Sequence, residues 1–235
     1  MCVTVLQKIS TGCESIDNIL GGGIQFGNVG LIYGEPETGK TTLAIQCAAN
    51  CTRQNYKTLF IDCDGTFSAR RMSQILSDDL GKAELVILMK PEDFHEQTVV
   101  VDQLPEYLTK SFGLVIVDTM TSLYRVKVAE SPSRTFELNR ELNRQMALSA
   151  QIARTQKIAV LVTSQVRSAF HDAQVSIEPV ATRVLKFWAD TIIALKPTGN
   201  SQVIKATVEK NPRKMHPQTC RLKITETGIH EYSVR

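Results

Sequence analysis

The sequence lacks the features that mark a membrane, secreted or zinc-binding protein. It has no apolar stretch long enough to span a bilayer, and its N-terminus does not combine a charged start with an apolar signal region. Its six cysteines form no C-x-x-C pair, and Cys47 with Cys51 would supply too few ligands for zinc. These absences favour buried thiols in a reducing cytoplasm.

The chain also lacks strong charge, repeats and linkers. Its net charge of +3 permits nucleic-acid binding without indicating it. Hydrophobic residues make up 43% of the 235 residues, which is enough for a full core. We therefore expect residues 1–235 to form a single domain.

Short apolar runs alternate with helix-like segments. The runs are Val29–Tyr33, Thr58–Asp62, Glu84–Leu88, Leu114–Asp118, Ala159–Thr163 and Thr191–Leu195. This alternation predicts an α/β fold in which helices flank both faces of a mostly parallel sheet. After these runs, the patterns of Gln202–Glu209, Cys220–Thr225 and Gly228–Tyr232 predict antiparallel edge strands at the C-terminus.

The longest predicted helix runs from Thr135 to Gln156, and two helical faces compete as its buried side. One face is apolar only in part and carries Leu138, Leu142, Gln145, Ser149 and Ile152. The alternative face runs through Met146 and Ala150.

A phosphate-binding loop is the clearest motif of the chain. The pattern G-x-x-x-x-G-K-[ST] is matched at every fixed position by Gly34, Glu35, Pro36, Glu37, Thr38, Gly39, Lys40 and Thr41. The loop joins an apolar strand to a predicted helix that begins at Thr42. Backbone N–H groups and the helix dipole at such a junction attract phosphate. We expect ATP to bind here, with Lys40 on the outer phosphates and the Thr41 hydroxyl on Mg²⁺.

Polar side chains end three further strands at the edge where ligands bind in α/β sheets. Asp118 is expected to hold Mg²⁺ through water. Asp64 either orients the attacking water or is a solvated residue of an Asp-Gly turn. Gln165 is a weaker candidate that senses the γ-phosphate and signals to the following loop.

The ordered set of motifs resembles the core of the RecA-superfamily recombinases, and within them the archaeal RadB paralogues of RadA. The resemblance covers nearly the whole chain. It rests on Ile9-Ser-Thr-Gly12, Leu20-Gly-Gly-Gly-Ile24, the phosphate loop, Asp62-Cys-Asp-Gly-Thr-Phe67, Val117-Asp-Thr-Met-Thr-Ser-Leu-Tyr-Arg125, Leu138-Asn-Arg-Glu-Leu142, Val162-Thr-Ser-Gln-Val166 and Ile224-Thr-Glu-Thr-Gly-Ile229.

The resemblance implies site residues and also two departures from the family. It places Asp64 where the family has a catalytic glutamate, and a carboxylate shorter by about one methylene predicts slow hydrolysis. The resemblance places Arg71 near the adenine. The local sequence alone is equally compatible with an exposed Arg70-Arg71 pair. The family's N-terminal helix-hairpin-helix domain and Phe-x-x-Ala strand have no counterpart before the core, so we expect impaired filament assembly and strand exchange.

The predicted DNA-binding loops are two segments that follow strands, Arg125–Arg134 and Val166–Thr182. Composition alone favours ordinary solvated loops, but the resemblance implies contacts through Arg125, Lys127, Arg134, Arg167, Phe170 and His171. Basic residues would neutralise phosphates, and the aromatic ring would stack on a base. A further basic run consists of Lys205, Lys210, Arg213 and Lys214; it could contact DNA or a neighbouring protomer's ATP, or be a solvated hairpin edge.

The resemblance implies a weak, DNA-associated ATPase that assists homologous recombination and repair. Its implied cofactors are ATP and Mg²⁺, and its implied partners are single-stranded or branched DNA, RadA and Holliday-junction-processing enzymes, at the nucleoid in the cytoplasm. A KaiC-like signalling ATPase is one alternative, although the tandem glutamates of that family are replaced here by Asp62-Cys63-Asp64. A non-hydrolysing, ATP-dependent adaptor is another.

Overall fold

The computed structural model describes residues 7–171, 174–179, 181–212 and 216–232, except for the side chains of residues 167–171 and 174–179. Its strands are β1 (Lys8–Ile9), β2 (Ile24–Gln25), β3 (Val29–Gly34), β4 (Lys57–Asp62), β5 (Val86–Met89), β6 (Phe112–Asp118), β7 (Ala159–Ser164), β8 (Val166–His171), β9 (Gln174–Pro179), β10 (Thr191–Pro197), β11 (Val203–Lys210), β12 (Gln218–Thr225) and β13 (Gly228–Glu231). Its helices are α1 (Glu14–Leu20), α2 (Lys40–Arg53), α3 (Ala69–Leu76), α4 (Phe94–Tyr107), α5 (Ser122–Glu130), α6 (Thr135–Gln156) and α7 (Thr182–Trp188).

A nine-stranded sheet forms the centre of the fold, in the order β13-β12-β11-β10-β3-β7-β6-β4-β5. The six strands β10, β3, β7, β6, β4 and β5 are parallel to one another. Strands β11, β12 and β13 continue the sheet in antiparallel fashion. The predicted α/β class and the antiparallel C-terminal edge are therefore confirmed.

Two apolar layers cover the two faces of this sheet. One joins the sheet to α4, α5, α6 and α7 and contains Val115, Val117 and Leu142. The other joins it to α1, α2 and α3 and contains Leu43, Phe60 and Ile116. The fully buried central strands are apolar on both faces because a helix lies on each side.

The parallel arrangement brings the ends of β3, β4, β6 and β7 to one edge. Tyr33 pairs with Ser164, Asp62 pairs with Asp118, and Leu195 at the end of β10 pairs with Gly34. The phosphate loop and the polar strand ends thus meet although up to about half the chain separates them in sequence.

Helix α6 has the predicted bounds, and both proposed faces are buried in it, including Gln145 and Ser149. The helix after the phosphate loop begins at Lys40 rather than Thr42. The fifth strand begins at Val86, because Glu84 and Leu85 end a 3-10 segment that spans Ser77–Leu85.

Where they are described, both predicted DNA-binding loops consist mainly of helix or strand, so describing them as loops was wrong. Arg125 and Lys127 lie on α5, and Arg134 ends a 3-10 turn (Pro132–Arg134). The second segment forms the antiparallel hairpin β8–β9, in which Val166 pairs with Pro179. No helix among the described residues combines the length and apolar character needed to cross a membrane.

Candidate active site

The loop Gly34–Thr41 has the backbone shape of an anion-binding nest. Glu37 and Gly39 adopt left-handed conformations, with φ of 63° and 84°. A Cβ atom on Gly34 would lie 2.4 Å from the Leu195 carbonyl oxygen and 2.8 Å from the Thr38 hydroxyl, so only glycine fits there. The Thr38 hydroxyl also closes the loop by donating to the Glu35 carbonyl at 2.8 Å.

Lys40 extends into this loop and is largely buried. Its ammonium group donates to the Glu35 carbonyl oxygen at 2.8 Å. Burial lowers the pKa of Lys40, and the nearby carboxylates of Asp118, Asp64 and Glu35 oppose that change. A cation held inside the loop among these groups suits an added phosphate, which would supply further negative charge.

Asp118 lies fully buried at the end of β6, with one carboxylate oxygen unpaired. Its Oδ1 accepts a hydrogen bond from the Thr163 hydroxyl, whereas its Oδ2 has no hydrogen-bond partner among the described residues. Burial raises the pKa of Asp118; the Thr163 and Thr41 hydroxyls oppose this, and the charges of Asp64 and Asp62 add to it.

The unpaired Oδ2 atom fits a Mg²⁺ ion held through water. A buried acceptor without a partner destabilises the folded protein, and a hydrated cation beside it would remove that cost. Thr41 lies close to Asp118. The Thr41 hydroxyl is 3.5 Å from the hydroxyl of Thr66, which the phosphate-loop motif does not include. No group of three or more His, Cys, Asp or Glu residues in the described ranges could hold a metal ion.

The two aspartates at the end of β4 and just after it, Asp62 and Asp64, have different surroundings. Asp62 is buried and accepts hydrogen bonds from the backbone N–H groups of Thr66 at 2.9 Å and Phe67 at 3.1 Å. Asp62 therefore closes the turn. The half-buried Asp64 carboxylate accepts no hydrogen bond from the described residues, while its backbone N–H donates to the Asp118 carbonyl at 3.3 Å. This leaves Asp64 available to bind water beside Asp118 and Lys40.

Gln165, just after β7, is bonded to a predicted DNA-contacting residue. Its side-chain oxygen accepts a hydrogen bond from the exposed guanidinium of Arg125 on α5. The preceding residue, Ser164, has its hydroxyl 3.1 Å from that of Thr121, just before α5. The candidate γ-phosphate sensor therefore contacts α5 directly.

A buried glutamine pair, not predicted from the sequence, supports the turn after Asp118. Gln97 on α4 donates to the Met120 carbonyl at 3.2 Å and to the Gln145 side-chain oxygen at 2.8 Å. Gln145 in turn donates to the Thr98 hydroxyl at 2.8 Å. Both glutamines are 0% exposed. The available sequence signal was Gln145, a large polar residue on a helical face that is apolar only in part.

Arg71 is bonded to the C-terminal hairpin. Its guanidinium donates to the carbonyl oxygens of Thr225 and Glu226, each at 2.8 Å. It also lines an open cavity of about 290 Å³ with Ser68, Arg70, Gln74 and Glu226. Arg71 is thus not simply half of an exposed pair, and its predicted contact with adenine stays a prediction.

The other predicted DNA-contacting residues are described in part. Lys127 pairs with Glu130 at 3.1 Å, and Arg134 pairs with Glu137 at 2.8 Å. Both partners reduce the positive charge that these residues offer to DNA. The side chains of Arg167, Phe170 and His171 lie outside the described residues, and their backbone belongs to β8.

The thiols of the described residues are free, as expected. They are Cys13, Cys47, Cys51, Cys63 and Cys220. Burial raises the pKa of each one, to about 11 for Cys51 and Cys220. Cys220 is half-buried and the other four thiols are buried; neutral buried thiols are unreactive, which agrees with a packing role for those four.

Comparison with known proteins connects this geometry to one family. The family model described as Rad51 matches residues 3–232. The DNA repair and recombination protein RadB of Thermococcus gammatolerans is 36% identical over 231 residues, covering 96% of this chain and 99% of that protein. RadB of Methanosphaera stadtmanae is 32% identical over 219 residues, covering 92% and 93%. A solved structure, described as the crystal structure of the RadB recombinase, matches with a TM-score of 0.82 and 31% identity, covering 96% of this chain and 100% of that one. The predicted RecA-like fold is confirmed.

Proposed function

The chain belongs to the Rad51 family and, within it, to the RadB group, and from this premise we propose that it binds ATP·Mg²⁺ and DNA in homologous recombination and repair. The relatives are named DNA repair and recombination proteins. We also propose an accessory role beside RadA, with Holliday-junction-processing enzymes as further partners. We propose further that the protein is a single domain and acts at the nucleoid in the cytoplasm.

The observation that carries ATP·Mg²⁺ binding is the unpaired Oδ2 of Asp118. It lies in a site that also holds the buried Lys40 ammonium and the Thr41 hydroxyl. Mg²⁺ would neutralise negative charge on the phosphates. Lys40 would bind the outer phosphates, Thr41 would coordinate the ion, and Asp118 would orient its water.

Slow hydrolysis is proposed from the length of Asp64. Its carboxylate has no hydrogen bond to restrain it among the described residues, and it influences the pKa of both Lys40 and Asp118. Asp64 is therefore the candidate that orients the attacking water. A side chain shorter than glutamate holds that water farther from the phosphorus, and attack geometry is sensitive to about 1 Å.

DNA binding is proposed for α5 and the hairpin β8–β9. The exposed Arg125 supports this proposal because it lies on α5 and bonds to Gln165 at the nucleotide edge. Arginine neutralises backbone phosphates at such positions. Phe170 remains the candidate for base stacking.

The test measures binding to single-stranded, duplex and branched DNA at several salt concentrations, with and without ATP·Mg²⁺. Lys40→Ala is the control, because losing its charge-assisted contact should weaken ATP binding by about 1.5–3 kcal/mol. We expect ATP to strengthen DNA binding in the wild type and to have little effect in the variant. Unchanged ATP affinity in Lys40→Ala would refute the site assignment.

The same measurements separate the alternatives. A KaiC-like signalling ATPase would bind ATP without binding DNA at any salt concentration. A non-hydrolysing adaptor would bind both and release no phosphate from ATP in a single-turnover experiment. Slow but measurable phosphate release together with DNA binding is the result that the proposal requires.

A further inference from the structure

A small network of polar side chains lies at the apolar layer that covers one face of the sheet. The Tyr33 hydroxyl on β3 donates to Glu209 of β11 at 2.6 Å, and the Lys186 ammonium on α7 donates to the other oxygen of Glu209 at 2.9 Å. The Lys186 ammonium is also 3.4 Å from the Tyr33 hydroxyl and 5.1 Å from the centre of its ring. We call Tyr33, Lys186 and Glu209 the polar cluster. It joins three elements that are distant in sequence.

Tyr33 connects the polar cluster to the candidate nucleotide site. It directly precedes Gly34, the first residue of the phosphate loop, and it pairs with Ser164 on β7. Tyr33 is 2% exposed and belongs to the apolar layer. The Leu195 carbonyl oxygen lies so close to Gly34 that no Cβ atom fits between them. The start of the phosphate loop is therefore held by the same tightly packed strand that carries Tyr33.

Lys186 connects the polar cluster to the hairpin β8–β9. Helix α7 begins at Thr182, shortly after β9 ends at Pro179. Strand β9 contacts both α7 and β3. A displacement of the hairpin would therefore move α7, and with it the Lys186 ammonium that binds Glu209.

A second contact holds α7 against β11, and it involves the basic run expected from the sequence. Lys210 of that run follows Glu209 and donates to the Ala189 carbonyl at the end of α7. Arg213 and Lys214 of the same run lie outside the described residues. Strand β11 is thus bonded to the helix after the hairpin at two successive residues.

The polar cluster is better suited to fixing positions than to stabilising the fold. The side chains of Lys186 and Glu209 are 32% and 30% exposed, and ion pairs of this kind contribute little net stability compared with apolar packing. Their hydrogen bonds are nevertheless directional and require short distances. All of these bonds can form together only when β3, β11 and α7 keep one relative position.

We propose that the polar cluster couples the phosphate loop to the hairpin β8–β9, with Tyr33, Lys186 and Glu209 as positioning residues. This inference rests on the proposed function, in which the loop binds ATP·Mg²⁺ and the hairpin binds DNA. The bond between Gln165 and Arg125 reaches α5, so the polar cluster supplies a separate connection to the other DNA-binding element.

The coupling has a defined direction. A ligand that shifts only the loop or only the hairpin strains the bonds of the polar cluster. Two bound ligands shift both elements and restore those bonds. Each ligand therefore strengthens the binding of the other, and linkage requires the same factor in both directions.

The test measures this coupling factor, which is the DNA affinity with ATP·Mg²⁺ divided by the DNA affinity without it. The ATP affinity with and without saturating DNA must give the same factor. Tyr33→Phe keeps the ring and removes the hydroxyl, which separates β3 from the polar cluster. Glu209→Gln keeps an acceptor for Tyr33 but removes the charge that binds Lys186, which separates α7.

Each variant has a matched control. Tyr56→Phe removes a hydroxyl that accepts from Gln7 at 2.7 Å; Tyr56 precedes the start of β4, at the edge of the sheet away from the phosphate loop. Asp102→Asn has the same charge change as Glu209→Gln and removes a carboxylate that binds Arg144 at 2.7 Å between α4 and α6. Both controls should keep the wild-type coupling factor.

We expect each cluster variant to lower the coupling factor by about fivefold or more, toward 1, because coupling in proteins commonly amounts to a factor of about 5–150. The double variant should lower it no further than either single variant, since the two contacts act in series. ATP affinity without DNA, and DNA affinity without ATP, should equal or exceed the wild-type values because strain is relieved. Should Tyr33→Phe fail to fold, Glu209→Gln carries the same test.

Three results would overturn the inference while leaving ATP and DNA binding intact. The first is an unchanged coupling factor in the cluster variants, and the second is an equal loss in the controls. The third is weaker ATP binding without DNA in Tyr33→Phe, which would make Tyr33 a support of the phosphate loop alone. If the wild type binds no DNA at all, the proposed function fails and this inference fails with it.

Discussion

Replacing Asp118 with asparagine should have opposite effects on stability with and without nucleotide. Asp118 is 0% exposed, and its Oδ2 has no hydrogen-bond partner among the described residues. An unsatisfied buried polar group destabilises a protein by about 1–3 kcal/mol, and by more when it is charged. Asparagine keeps the shape of the side chain and removes the charge, although one unpaired group remains.

We therefore expect Asp118→Asn to raise the free energy of unfolding of the nucleotide-free protein by about 1–2 kcal/mol. For a chain of this size, each kcal/mol corresponds to a rise of about 2–4 °C in melting temperature. Urea unfolding and thermal melting of both proteins without nucleotide measure this difference.

The difference in free energy of unfolding between Asp118→Asn and the wild type should depend on pH. Burial raises the pKa of Asp118 above its ordinary value of 3.8, so the folded protein binds this proton more readily than the unfolded chain. The destabilisation by the carboxylate is absent at pH values below 3.8 and increases as the pH rises through the folded pKa. The advantage of Asp118→Asn should therefore be present at neutral pH and vanish in acid.

Adding ATP·Mg²⁺ should reverse the order of stability. A ligand at about 100 times its dissociation constant stabilises the wild type by about 2.7 kcal/mol, and the variant should gain less because it holds the ion's water poorly. The reasoning is refuted if the nucleotide-free variant is less stable than the wild type. It is refuted equally if ATP·Mg²⁺ stabilises both proteins to the same extent.

Two further predictions concern ATP turnover and the Mg²⁺ dependence of nucleotide binding. Asp64→Glu should hydrolyse ATP faster at equal ATP affinity, with a tenfold rise in turnover if the activation barrier falls by about 1.4 kcal/mol. If Asp64→Asn hydrolyses ATP as fast as the wild type, Asp64 is a turn residue and not the group that orients water. Gln97→Leu leaves the Met120 and Gln145 oxygens without a donor and should lower the free energy of unfolding by about 1–3 kcal/mol. Gln97→Leu should also raise the Mg²⁺ concentration needed for half-maximal nucleotide binding. The matched control is Gln46→Leu, which removes a buried glutamine bonded to Ile229. This control should lower the free energy of unfolding without changing the Mg²⁺ dependence.

The sequence was sufficient for features that depend on local pattern. The loop Gly34–Thr41 is contiguous, and its function requires glycines and a lysine at fixed spacing. The central strands were predictable because burial on both faces requires unbroken apolar runs. The predicted start of β5 was wrong by two residues, because Leu85 continues the apolar pattern but forms, with Glu84, the end of a 3-10 segment.

The two predicted DNA-binding loops show where local pattern was insufficient. The segment 125–134 has no continuous apolar face, so its composition indicated a loop. In the structure, Tyr124 is buried and α5 packs with α4 and α6. Packing of this kind can stabilise a helix whose own sequence favours it only weakly.

The sequence alone determined the fold class, the phosphate loop and the carboxylates at the strand ends, because each is expressed in neighbouring residues. Only the tertiary structure distinguished Asp62, which closes the turn, from Asp64, whose carboxylate accepts no hydrogen bond from the described residues. Only the tertiary structure brought Gln97 to Gln145. It also aligned Lys196 of β10, Lys205 of β11 and Arg221 of β12 side by side, since pairing register is set between strands and cannot be read from any one of them. The physical reason is that hydrogen bonding, burial and like-charge proximity depend on contacts between distant segments.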